Sequence, residues 1–373
     1  MKEINIARAI IDKRKEKGLT QDDLANYIGV SKASVSKWET GQSYPDITFL
    51  PQLAAFFNIS IDDLMGYEPQ MTKEDIRKLY LELSADFTSK PFDEVLCHCR
   101  EIVKKYFSCF PLLFQIGVML VNYSPLSKDA DITASIIAEA KEIFIRVKRE
   151  SDDVELTKQA LGMEATCALT LGNPNEVLEL LGETIAPVYC AEIVLAPAYQ
   201  MIGKIEEAKT VLQVGIYQHI VTLFGIFPYY LSLCADDMER FEEIYRRIMD
   251  IAGTFHITEL HPSVLLNVYF FASQGYLANG SMDKALDILE EYTQLATGDI
   301  YPLKLKGDEF FNLLDNWLDE FALGTALPRD EKTVKESLAE AVINNPAFSA
   351  LADERRFQSI VERLKTIVRR RPE

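Results

Sequence analysis

Residues 19–41 read LTQDDLANYIGVSKASVSKWETG, and the fold of the first part of the chain turns on them. Thr20 stands where it can cap a helix, with Asp23 three residues on in the reciprocal position of a capping box. Leu24, Ala25 and Ile28 recur at helical spacing as its inward face, and Gly29 ends it. Ser31 then caps a further helix running through Glu39, with Val35 and Trp38 turned inward and Gly41 closing it. Upstream, Ile6, Ile10 and Ile11 mark a helix stopped by Gly18. Downstream, Pro45-Asp46 opens a fourth helix to Phe57, and Ser60-Ile61-Asp62-Asp63-Leu64 gives a fifth turn.

Two short helices joined by Gly29-Val30-Ser31 have the spacing of a helix-turn-helix. The third helix then turns Lys32, Ala33, Ser34 and Lys37 outward along one edge. Lysine donates to guanine acceptors, serine serves either partner, and an alanine methyl meets a thymine methyl. Periodicity alone fits a plain five-helix bundle with a solvated polar face equally well. The motif residues go further. Leu19-Thr20-Gln21, Leu24-Ala25, Gly29-Val30-Ser31, Val35-Ser36-Lys37-Trp38-Glu39 and Gly41 resemble the phage-repressor/Cro-like (XRE) DNA-binding domain. Pro45-Asp46, Leu50, Leu53-Ala54 and Ile59–Leu64 continue the resemblance over about 60 residues.

That resemblance implies a phosphate contact from Gln21 at the start of the second helix. It also implies base or backbone contacts from Lys32, Ala33, Ser34 and Lys37, with Thr20, Ser31, Gln42 and Ser43 around them. Arg14 and Glu39 are the implied structural pair between the first helix and the end of the third. Many members carry Lys or Arg just after the closing glycine, whereas this chain has Gln42-Ser43-Tyr44. Fewer cationic phosphate contacts mean weaker binding by one copy and a shallower salt dependence. A homodimer on a double-stranded, palindromic operator, with half-sites about one helical turn apart, is therefore expected.

Charge supports a two-part chain. Residues 1–67 hold eight Lys/Arg and nine Asp/Glu, a net −1, so the other 306 residues carry −17 of the total −18. A surface so acidic excludes a protein that coats nucleic acid or an anionic membrane with its whole exterior, but not a small local reader of DNA. Six cysteines in 373 residues make no disulfide scaffold. No signal-peptide core is read at the N-terminus and no apolar run is read as long enough for a bilayer, so a soluble, cytoplasmic chain without a membrane partner is expected. The boundaries read as a DNA-binding domain at 1–67, a linker at 68–72 around Pro69, and a helical domain at 73–373.

From Thr72 onward glycine and proline punctuate at helix-length intervals and no strand alternation persists, so the whole chain is expected to be all-α. One signature recurs as Gly172-Asn173-Pro174-Asn175-Glu176-Val177-Leu178, Gly203-Lys204-Ile205-Glu206-Glu207-Ala208 and Gly280-Ser281-Met282-Asp283-Lys284-Ala285. A degenerate copy at Asp236-Asp237-Met238 lacks the glycine. The spacings of 31, 33 and 44 residues suit two-helix repeats whose apolar faces are buried only by stacking. The segment resembles tetratricopeptide (TPR) repeats, loosely, in a TPR-like α-solenoid ending in a capping helix from Leu351 to Arg371. Helices preceding each turn are expected to line a concave face with Gln159, Tyr199, Gln200, Tyr229, Tyr230, Asn267 and Gln274. Amide groups both donate and accept, which suits clamping the backbone of an extended peptide.

Several stretches only look chemical. Gly203-x4-Ala208-Lys209-Thr210 approaches a phosphate loop but has alanine for the second glycine and follows a helix. Cys97-His98-Cys99 sits on a predicted helix, where i and i+2 diverge, and lacks a fourth ligand at familiar spacing. His219, His256 and His261 form no HExxH, and no GxSxG elbow occurs. No catalytic residues, no metal ligands and no cofactor are assigned, and the chain is not read as an enzyme.

A repressor-like reader joined to a TPR-like body resembles the cytoplasmic peptide-pheromone sensors of Gram-positive bacteria, the group associated with quorum sensing. That resemblance implies a DNA-binding transcription regulator whose dimer responds to a short signalling peptide in the repeat groove. The alternative reading is a ligandless repressor, or a scaffold in which the repeats dock a protein partner.

Overall fold

The computed structural model describes residues 6–65, 71–185 and 187–369. The joint at 67–70, residues 68–70 of the 68–72 linker and the basic end beyond Arg369 lie outside the described residues. Among those described, helices supply the regular structure, no β-strand occurs, and one isolated bridge pairs Lys304 with Ala326.

Five helices form the head: α1 (Ile6–Glu16), α2 (Gln21–Ile28), α3 (Lys32–Glu39), α4 (Leu50–Phe57) and α5 (Ile61–Met65). One side chain from each meets at the centre, and Ile10, Leu24, Val35, Leu53 and Leu64 are all fully buried. Each stabilises the head by roughly 1.5–3 kcal/mol. Thr20 and Asp23 close a capping box, the Asp23 carboxylate accepting from the Thr20 N–H at 2.8 Å and the Thr20 hydroxyl accepting from the Asp23 N–H at 3.2 Å. Ser60 and Asp63 repeat that box at the start of α5. The fourth helix begins later than Pro45-Asp46 suggests. Asp46 caps a 3-10 turn at Ile47–Phe49, and α4 starts at Leu50. Pro51 explains the delay, because its ring is tolerated only in the first turn of a helix.

The body continues with α6 (Lys73–Ser89), α7 (Phe92–Lys105), α8 (Phe110–Tyr123), α9 (Ala130–Glu150) and α10 (Val154–Thr170) around one apolar core. Then come α11 (Pro174–Leu181), α12 (Glu192–Met201), α13 (Ile205–Leu233), α14 (Met238–Thr254), α15 (Ile257–Leu260), α16 (Pro262–Ala278), α17 (Met282–Ala296), α18 (Asp315–Asp319), α19 (Glu331–Ile343) and α20 (Arg355–Arg369). From α13 onward they share a second core.

The three signature glycines end α10, α12 and α16 in the same way. Gly172, Gly203 and Gly280 have φ of +76°, +80° and +71°. The residue after each donates its N–H to the carbonyl five positions back, Ala168, Tyr199 and Tyr276, at 2.9 Å. This is the Schellman termination, which needs a left-handed residue and so favours glycine. The copy at Asp236 has no such bond; there the Asp237 N–H reaches only the Cys234 carbonyl.

Two features go beyond a nearest-neighbour stack. Arg77 on α6 donates to the carbonyls of Asp319, Phe321 and Ala322, and the Tyr80 hydroxyl donates to the Pro328 carbonyl. The 319–330 segment is thereby tied to the first helix of the body. At the far end α20 buries Phe357, Ile360, Leu364 and Ile367, while Arg356 bonds Asp287 and Glu290 on α17.

One expectation is corrected. Residues 110–127 and 205–233 are helical segments long and apolar enough, by length and composition, to cross a membrane. In the first, spanning α8, the apolar side chains are spent on the core, with Leu113 and Met119 fully buried. The second is α13, which buries Phe224 and Leu231 yet leaves Ile226, Tyr229 and Leu233 exposed. Polar residues interrupt both runs, so neither is an unbroken apolar stretch in the sequence.

Candidate nucleic-acid interface

Three helices of the head are locked by one polar knot. The Arg14 guanidinium grips Glu39 with two bonds, 2.6 Å from Nε to Oε1 and 2.9 Å from Nη2 to Oε2, and also donates to the Leu19 carbonyl. Gln21 Nε2 donates to the same carboxylate at 2.9 Å. Burial alone would raise the Glu39 carboxyl, but the Arg14 and Gln21 hydrogen bonds more than reverse it and hold it below its ordinary 4.5. With α1, α2 and α3 tied at one point, the exposed edge of α3 is presented on a rigid base.

Along that edge Lys32, Ala33 and Lys37 are exposed and Ser34 is half-buried. Lys32 Nζ donates to Asp22 Oδ2 at 2.7 Å, with both side chains more than half exposed. Such a surface pair is worth about 0–1 kcal/mol, so Lys32 can exchange it for a phosphate or a base at little cost. Lys37 carries no ion pair among the described residues. Ser31 caps α3, its hydroxyl accepting from the Ser34 N–H and sharing a hydrogen bond with the Ser34 hydroxyl. Thr20 is occupied by its capping box, and Gln21 by Glu39, so each would have to rearrange to meet DNA through its side chain. Exposed Gln42 and half-buried Ser43 follow the turn, next to Tyr44, which is also exposed. Sequence reading missed Asp22 as the counter-ion of Lys32, because two residues ten apart on different helices leave no periodic trace.

In the body the expected groove residues do not gather in one place. Gln159 and Gln115 line a cavity of about 680 Å³ with Ile76, Phe114, Val118 and Phe321. Asn267 lines another, of about 440 Å³, with Phe224, Ser263 and Tyr292. Tyr199 and Gln200 lie on α12 and Tyr229 and Tyr230 near the end of α13, two helices that also carry exposed apolar side chains; Gln274 is half-buried on α16.

Residues 10–64 match the helix-turn-helix family. The uncharacterized helix-turn-helix transcriptional regulator MJ0272 of Methanocaldococcus jannaschii is 38% identical over 50 residues, 13% of this chain and 76% of that protein. The chain belongs to the helix-turn-helix transcriptional regulators. The transcriptional activator BcrR of Enterococcus faecalis is 36% identical over 73 residues, 18% of this chain, and the chain spans about a third (36%) of BcrR's length. A solved structure, the apo form of ComR from S. thermophilus, overlaps 79% of this chain and 94% of its own at 12% identity and a TM-score of 0.23. The sequence relationships thus rest on the helix-turn-helix domain, and that domain contains every residue of the exposed α3 edge.

Proposed function

We propose that the chain is a sequence-specific, DNA-binding transcription regulator whose helical body forms a homodimer and senses a short peptide. The observation that carries the DNA-binding half is the exposed Lys32–Lys37 edge on the Arg14–Glu39–Gln21 knot, within a helix-turn-helix domain. α3 enters the major groove, Lys32, Ser34 and Lys37 read base edges or phosphates, and the N-termini of α2 and α3 face the backbone.

Dimerisation is supported by the surface around α12 and α13. Among the described residues, ten large apolar side chains between Ile185 and Leu233 are more than half exposed, among them Ile185 at 95% and Met201 at 87%. At roughly 100 Å² of apolar surface per side chain, they offer on the order of the ~800 Å² per partner of a standard interface. A protein partner on the same face is the alternative. Peptide sensing is supported by the 680 Å³ cavity, which combines apolar walls with the amides of Gln115 and Gln159. Its rim includes Met71 and Lys73, the first described residues after the head, so an occupant would press on the point where the body receives the reader.

Native mass spectrometry of the chain purified gently from its own host tests the dimer and the peptide. A dimer carrying a peptide-sized adduct, lost on mild activation and absent from Gln159→Ala, is the expected result. A dimer that stays bare in concentrated spent medium sinks the peptide reading, and a monomer at micromolar concentration sinks the dimer.

A further inference from the structure

Cys190, Glu192 and His219 converge although they come from two separate elements. Cys190 lies just before α12, Glu192 is the first residue of α12, and His219 is on α13. His219 Nε2 is 3.0 Å from Glu192 Oε1 and 3.6 Å from Cys190 Sγ, and all three donor atoms lie within 4.8 Å of one another. Tetrahedral Zn²⁺, with bonds of about 2.3 Å to sulfur and 2.0–2.2 Å to nitrogen and oxygen, sets its S and N donors about 3.6 Å apart and its N and O donors about 3.4 Å apart. Two of the three separations thus lie within a few tenths of an ångström of those in a zinc site, and the Cys190 sulfur and the Glu192 carboxylate are no more than 4.8 Å apart.

A second observation concerns the fit of the carboxylate. Gly215 is one turn before His219 on the same face of α13. A Cβ at Gly215 would stand 2.7 Å from Glu192 Cγ and 2.9 Å from Oε1. Glycine thus makes the notch in which this carboxylate reaches the imidazole. Cys190 is half-buried and His219 is exposed, so solvent reaches the cluster.

We propose that Cys190, Glu192 and His219 form a three-ligand site for a borderline divalent cation of the Zn²⁺ class, with a fourth position open to water. Thiolate, carboxylate and neutral imidazole together carry −2, which balances the ion, and this mixed donor set suits Zn²⁺ or Co²⁺ better than Mg²⁺ or Ca²⁺. On binding, the Cys190 S–H bond breaks, the sulfur pair forms the metal–sulfur bond, and the proton leaves to solvent. The ion would pin the segment entering α12 onto the middle of α13, within the apolar sector described above. No spacing rule exposes such a site in the sequence, because the histidine is 27 residues from the carboxylate across a helix pair.

The test is a Co²⁺ titration of the full, reduced, untagged chain. A thiolate-to-cobalt charge-transfer band with visible bands of tetrahedral intensity, saturating at one equivalent, is expected. Cys190→Ser must remove the charge-transfer band, and Cys97→Ser, at the exposed cysteine of α7, must keep it. Gly215→Ala should weaken binding about 10- to 100-fold, the range for losing support of a metal ligand, while keeping the band. In the unmodified chain, Zn²⁺ should protect Cys190 but not Cys97 from alkylation. Absence of the band, its survival in Cys190→Ser, or alkylation of Cys190 unaffected by Zn²⁺ overturns the proposal.

Discussion

The head and the body are held together at very different ranges along the chain. In the head, five helices close on one another within residues 6–65, and among the described residues the side-chain hydrogen bond that reaches furthest along the chain links Arg14 to Glu39 across 25 positions. In the body, Arg77 is fixed by carbonyls some 245 positions further on. A small unit with few contacts depends on each one, whereas a long one spreads its load and adds a closure that local patterning does not announce. The chain has two tryptophans, Trp38 in the head and Trp317 in the body. Trp38→Phe and Trp317→Phe backgrounds therefore report each region separately.

Glu39→Ala should have the largest effect. It leaves Arg14 without its carboxylate and Gln21 without its acceptor, and removing one partner of a buried pair costs about 3–5 kcal/mol. The head should lose its Trp38 transition at ambient temperature while the Trp317 transition stays in place. If both shift together, the two regions are one cooperative unit and the contrast collapses.

Lys32→Ala combined with Lys37→Ala comes next. Losing two groove contacts at about 1–2 kcal/mol each, within the usual range for base contacts, should weaken operator binding on the order of a hundredfold. The Trp38 transition should move little, since the Lys32–Asp22 pair is exposed. Undiminished footprinting by this variant would remove α3 as the reading helix.

Most of the head was legible because its signals are local. Thr20 with Asp23 is a cap three residues apart, Ser60–Leu64 is a short turn, and Val35 and Trp38 are one turn apart. The delayed start of α4 was the exception, decided by Pro51. In the body, the glycine turns at 172, 203 and 280 were legible for the same local reason. Closure through Arg77 was not, because an arginine bound to backbone carbonyls has no partner residue type to betray it. The expected groove residues are spread over the body, with Gln159 and Asn267 lining separate cavities, since where a helix face ends up depends on how the helices stack and not on its own period.

Arg77→Ala tests that closure. The side chain makes three bonds to carbonyls of residues 319–322, and bonds from a charged donor are worth about 1.5–3 kcal/mol each at most. With Arg77 only partly buried, a net loss of about 2 kcal/mol is expected in the body alone. Trp317, whose ring lies 4.6 Å from Phe321, should report it directly, while Trp38 stays unchanged. An unaltered Trp317 transition would mean that the 319–330 segment is held by its apolar contacts and that the body is an open stack.

Acid should separate the regions more gently. Burial holds His261 in the body below its ordinary 6.5, so the unfolded chain takes up that proton first. The stability contributed by neutral His261 is complete above about pH 6.5 and declines as the pH falls below it. Glu39 in the head is also held down, but from 4.5, so its contribution persists to about pH 4.5 and is lost only as the pH drops through its folded value. Between pH 6.5 and 4.5 the denaturation midpoint seen by Trp317 should therefore fall while that seen by Trp38 holds, and His261→Gln should flatten the former. A head that weakens first in that window would show that groups other than Glu39 govern its response to acid. The sharper range of the knot would then count for less than the charge around it.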